Sequence, residues 1–182
     1  AITIGNTPNV TIYGFTIQYG KSDPAVSGDG NGGGIHLQHA SAVIENCRIT
    51  NNHATGYGGG IYSHYSTPEI RNCTITSNTA ERGGGVYAQY QQPRITGGTR
   101  ITNNRAFLRG GGVYTCNSGL IIEGSTVISH NEARSLNTYH SGGGVYVEGA
   151  AGTIQGGTEI SYNRAAYGGG VYFQEASGTI QG

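Results

Sequence analysis

Asn78-Thr79-Ala80-Glu81-Arg82-Gly83-Gly84-Gly85-Val86-Tyr87 is the stretch whose reading decides the fold, because it recurs. Gly-Gly-Gly-(Ile/Val) tetrads begin at Gly32, Gly58, Gly83, Gly110, Gly142 and Gly168, at intervals of 26, 25, 27, 32 and 26 residues. Asn-x-Ala precedes five of them, at Asn52, Asn78, Asn104, Asn131 and Asn163, and an isoleucine stands three positions before each Asn: Ile49, Ile75, Ile101, Ile128 and Ile160. A fixed period of this length marks a stacked array whose units bury their apolar faces against one another. Six such coils are visible, with partial ones flanking them.

Within a coil the pattern predicts short strands separated by turns. Cys73-Thr74-Ile75-Thr76 repeats as Thr99-Arg100-Ile101-Thr102 and Thr126-Val127-Ile128-Ser129. Successive side chains in a strand point to opposite faces, so the Cys/Thr and Ile positions point inward. A second strand follows the glycines, as in Val86-Tyr87-Ala88-Gln89, and a third is marked by Ile44, Ile70, Ile95, Ile122 and Ile154. No segment carries a 3.6-residue apolar period over a helix length. Three strands per coil of about 26 residues, stacked in parallel, predict an all-β, right-handed, single-stranded parallel β-helix of six to seven coils. Residues 1–182 read as one such domain with a loop insertion at 21–31. The terminal stretches Ala1-Ile2-Thr3-Ile4-Gly5 and Gly178-Thr179-Ile180-Gln181-Gly182 copy coil strands, so a segment of a longer solenoid or an end-to-end stacking protomer is expected.

Turn chemistry fits this picture. The triple glycine allows positive φ and close backbone approach at a corner. The Asn column (Asn52, Asn78, Asn104, Asn131, Asn163) is expected to form a structural ladder, bonding backbone or neighbouring Asn along the stack. Later coils carry an extra residue, Gly97-Gly98 and Gly156-Gly157, so the turn there changes type.

Composition narrows the function. Of 182 residues 34 are Gly, charged residues make 11%, and the formal net charge is zero. The absence of a basic run argues against a nucleic-acid partner, and the absence of an 18-residue apolar stretch argues against a membrane-spanning helix. Only two Asp occur, Asp23 and Asp29, and the Glu are scattered, with Glu45 and Glu69 the one pair expected near each other. No row collects two carboxylates at one level with a Lys or Arg beside them, so no catalytic residue is assigned. No cofactor is expected either. Gly28-Asp29-Gly30-Asn31-Gly32-Gly33 matches a dinucleotide fingerprint, but no helix is expected after it and its glycines recur in other coils. His36, His39 and His64 fall near one another without a fourth ligand for zinc, so no metal is assigned; the 21–31 loop reads as solvated rather than calcium-binding.

Tyr62, Tyr87, Tyr114, Tyr146 and Tyr172 form one outward column with His36, read either as packing or as a candidate contact surface for glycan or protein. Thr50, Thr76, Thr102, Ser129 and Ser161 form an outward hydroxyl column. Cys47 and Cys73 stack inward on neighbouring coils, at a spacing that suits a disulfide and equally suits two buried thiols, while Cys116 points outward.

The run Asn78 to Tyr87 resembles the right-handed β-helix repeats of secreted and surface adhesin-like proteins, and is similar to the passenger repeats of polymorphic outer membrane proteins. The resemblance covers nearly the whole chain. It implies an extracellular or cell-surface solenoid of a kind that serves as stalk, adhesin and enzyme scaffold alike; the scattered carboxylates favour a structural or adhesive role over an enzymatic one. Its partners would be flanking coils, further copies stacked end to end, a glycan or a cell-surface protein. A glycan-binding module and a segment of a polysaccharide-active enzyme are the alternatives it leaves.

Overall fold

The computed structural model describes residues 1–135 and 141–182, with Val26 and Ser27 described in backbone only. Four parallel sheets run along the stack. The first holds Ile2–Gly5, Ile35–Gln38, Ile61–His64, Val86–Gln89, Val113–Cys116, Val145–Glu148 and Val171–Gln174, in that spatial order. The second also has seven strands, from Val10–Tyr13 to Gly178–Gln181, and the third six, from Thr16–Gln18 to Glu159–Ser161. Val86 pairs with Ile61 on one side and Val113 on the other, so equivalent positions of successive coils are hydrogen-bonded rungs.

Three strands per coil is one too few. A fourth sheet joins Lys21–Ser22, His53–Ala54, Thr79–Arg82, Arg105–Arg109 and Glu132–Ala133, where the Asn-x-Ala motif reads in sequence as a turn. The chain turns one residue earlier. Asn51, Ser77, Asn103, His130 and Tyr162 take left-handed conformations (φ 55°, 56°, 57°, 57° and 53°), which frees the Asn and the two residues after it to run extended. The extra residue in the coil of Arg105–Arg109 is taken up as a register shift against Thr79–Arg82.

Ladder asparagines are not themselves left-handed. Asn78 is buried, and its Oδ1 accepts from the Asn52 backbone N–H and side-chain amide, both at 3.0 Å. Its Nδ2 donates to Ile49 O at 2.9 Å and to Asn104 Oδ1 at 3.0 Å. Asn104 and Asn131 repeat the pattern. Of the triple glycine only the first needs positive φ; Gly83 has φ 63°. The second and third are required by proximity. A Cβ on Gly84 would lie 2.5 Å from Arg105 O and 2.6 Å from Gly111 O.

Inside the tube, isoleucine columns such as Ile44, Ile70 and Ile95, and Ile49, Ile75 and Ile101, are fully buried. Each contributes about 1.5–3 kcal/mol relative to exposure. Cys47 and Cys73 sit among them as free thiols rather than a disulfide. Each Sγ donates to carbonyls of its own and the preceding coil: Cys47 to Glu45 O (3.2 Å) and Ile12 O (3.5 Å), Cys73 to Arg71 O and Ile44 O (both 3.3 Å). Burial pushes the Cys73 thiol up to about 12. In later coils Thr99 and Thr126 take this place, and their hydroxyls donate back three residues, to Thr96 O and Glu123 O (2.7 Å each), across the enlarged turn.

Candidate functional site

The tyrosine column expected as a contact surface is a second core. Tyr62, Tyr87, Tyr114 and Tyr146 are at most 6% exposed, and Tyr172 is partly covered. Strand alternation does aim these rings away from the tube, but the corner preceding the glycines folds over them. Tyr57 stacks on Tyr87 at 4.8 Å between centroids, and the Arg109 guanidinium lies 5.5 Å above the Tyr146 ring. Tyr114 donates its hydroxyl to Glu148, which also meets Arg109 at 3.4 Å. Burial raises every phenol in this buried group, Tyr62 and Tyr146 to about 12 and Tyr87 and Tyr114 further still. Cys116 does not stand free: it is partly buried against this cluster, which raises its thiol. The hydroxyl column is likewise less open than expected, since Thr50 and Ser129 are buried and Thr76 and Thr102 half-covered.

Carboxylates serve as ties between coils. Glu45 and Glu69 do meet, on either side of Arg71, at 3.0 Å and 3.6 Å. Register explains this, because Arg71 pairs with Glu45 while Glu69 stands two residues away on the same strand face. Arg94 and Gln155 bind Glu123 from the coils on either side. Asp23 caps a single helical turn, Pro24–Ser27, where the sequence reads as loop, and ion-pairs Lys21 at 3.7 Å. Asp29 accepts from the Asn31 amide at 3.1 Å. Among the described residues no three His, Cys, Asp or Glu are disposed to hold a metal, and no helix is long and apolar enough to cross a membrane.

What the structure gathers instead is an aromatic edge. The residue that follows each strand of the first sheet turns the corner in a left-handed conformation: Asn6, His39, Tyr65, Tyr90, Asn117, Gly149 and Glu175. Asn and Gly are the ordinary occupants of such a position, whereas a bulky side chain there costs roughly 1–2 kcal/mol. His39, Tyr65 and Tyr90 put a ring there in three consecutive coils, and Glu175 is a further bulky occupant in the last. His39 stacks on Tyr65 (5.0 Å, 5°) and Tyr65 on Tyr90 (4.6 Å, 19°), while His64 packs edge-on against Tyr65 (4.5 Å) and lies 6.2 Å from His39. Tyr65 and Tyr90 remain 43% and 41% exposed. His64 is held below the usual imidazole value, first by burial and then by His39 and His36. Of the expected histidine trio, His39 and His64 join this edge and His36 packs on Tyr62 instead. Tyr65 and Tyr90 escape a sequence reading because they lie one residue beyond the repeated strand. The available signal is an aromatic residue at the same offset from the last glycine of three successive tetrads: Gly34 to His39, Gly60 to Tyr65 and Gly85 to Tyr90.

A solenoid of four parallel sheets, wound about an isoleucine core and locked by an asparagine ladder, is a parallel β-helix. The chain matches the family model described as right handed beta helix region over residues 1–163, and it belongs to that family. Neither a search of curated proteins nor one of solved structures gives a match.

Proposed function

We propose that this chain is a non-enzymatic extracellular or cell-surface solenoid that serves in adhesion, and that it makes contact through the His39–Tyr65–Tyr90 edge. The observation that carries this reading is the conformational cost. Aromatic residues occupy three successive left-handed corners, where Asn117 and Gly149 serve the same turn at lower cost. Strain of this kind collects at functional positions. The Ser41 and Thr67 hydroxyls, 3.2 Å apart, lie two residues beyond His39 and Tyr65. Ring edges and phenol hydroxyls beside the Ser41 and Thr67 hydroxyls suit a neutral glycan, with C–H groups against the ring edges and hydroxyls bonded alongside. The engagement of Glu45, Glu69, Glu123 and Glu148 in ion pairs supports a scaffold rather than a reaction centre.

The test is a neutral-glycan array probed with the intact chain and with Tyr65→Asn and Tyr90→Asn. Asn is at home in the left-handed corner, so both variants should unfold at or near the wild-type midpoint while glycan binding is lost. Unchanged binding by the double variant, or no glycan bound by the wild type, overturns the proposal.

A further inference from the structure

Glu132 stands at the centre of three arginines on the fourth sheet. Arg105 and Glu132 are register partners on adjacent coils, and Glu132 bridges in turn to Arg164. Arg105 and Arg164 are therefore two rungs apart, about 9.6 Å along the axis at the usual strand spacing. Arg134 Nε donates to Glu132 Oε2 at 2.6 Å. The other two guanidiniums stay at 3.9 Å: Arg105 Nε from Oε2 and Arg164 Nη1 from Oε1. The carboxylate closes on one arginine and leaves two loosely held, so positive charge is in excess. Arg105 Nε is buried and, among the described residues, has no hydrogen-bond partner. These groups line a groove of about 870 Å³, within the size range of small-ligand sites. Phe107 forms an apolar wall, 49% exposed, with the Arg105 guanidinium 5.7 Å from its ring centroid.

We propose that this groove binds a tetrahedral oxyanion, a sulfate or phosphate group, free or as an ester on a larger molecule. Arginine's planar fork suits such groups, and a tetrahedral anion offers three or four oxygens to guanidiniums of neighbouring coils where a carboxylate offers two. Phe107 covers the apolar part of an esterified ligand. The site lies on the fourth sheet and is independent of the aromatic edge, which follows the first. Glu132 acts as an internal competitor for the anion.

Calorimetry of the intact chain with inorganic sulfate, inorganic phosphate, glucose 6-sulfate and glucose 6-phosphate tests the site and separates its sources. Tighter binding of the esters than of the free ions identifies an esterified ligand; equal binding identifies the free ion; either supports the site. Arg164→Ala, at a side chain 85% exposed and so without consequence for folding, should weaken binding about tenfold or more. Glu132→Gln should tighten it, an outcome that a purely structural ion-pair cluster would not give. Arg100→Ala, on the third sheet, should leave affinity unchanged. No binding by any of the four probes at millimolar concentration, or weaker binding by Glu132→Gln in a chain that keeps its circular dichroism, overturns the proposal.

Discussion

Replacing Asn104 with alanine tests the element on which every coil depends. The side chain makes four hydrogen bonds. Its Oδ1 accepts from the Asn78 backbone N–H and Nδ2, both at 3.0 Å, and its Nδ2 donates to Ile75 O at 2.9 Å and Asn131 Oδ1 at 3.1 Å. Asn131 Oδ1 keeps a donor in the Asn104 backbone N–H (2.9 Å), and Asn78 Nδ2 keeps Ile49 O. Two buried donors are then left without an acceptor, the Asn78 N–H and one amide proton of Asn78, whereas the Ile75 carbonyl keeps its rung bond to the next strand. Each costs about 1–3 kcal/mol when left unmade, so the loss falls between about 2 and 6 kcal/mol. Against a usual total of about 5–15 kcal/mol, that loss is large. Urea unfolding followed by circular dichroism measures it. Native-state hydrogen exchange should place the loosening at residues 75–78 and 101–104 before the outer coils. Thr102→Ala, which removes only a half-covered hydroxyl bonded to Thr76 at 3.2 Å, should cost well under about 1 kcal/mol. A loss below about 1 kcal/mol for Asn104→Ala would refute the ladder as a source of stability.

Two further outcomes follow from the same geometry. Gly84→Ala should prevent stacking, because its Cβ would meet backbone oxygens at 2.5 and 2.6 Å that cannot move without parting two coils; Gly98→Asn, at φ 76° with nothing within 4 Å, should leave the unfolding midpoint nearly unchanged, and comparable losses for the two would disprove the close-approach argument. Stability should also fall at alkaline pH. The folded values of Cys73, Tyr62 and Tyr146 are raised to about 12, above 9.0 for an ordinary thiol and 10.0 for a phenol, so over that interval the unfolded chain binds fewer protons and the free energy of unfolding declines with pH. Urea midpoints at about pH 8, 10 and 11 should decrease in that order, and a flat profile would contradict the burial of the column.

Much of this molecule is legible in the repeat alone. The spacing of glycine tetrads, the isoleucine columns and the Asn-x-Ala motif determine parallel rungs in one register, because a repeated sequence meets identical neighbours above and below. The pattern also places the ladder asparagines, though it is the residue before each, such as Ser77 or Asn103, that turns left-handed. Tertiary structure alone decided what lies outside the tube. Alternation tells which way Tyr87 and Tyr114 point, not whether Tyr57 and Arg109 fold over the column, since that depends on a corner of another coil. It likewise takes the winding of the chain to bring His39, Tyr65 and Tyr90 onto one edge and Arg105, Arg134 and Arg164 around one carboxylate. A local pattern sets the direction of a side chain; only neighbours distant in sequence determine what it meets there.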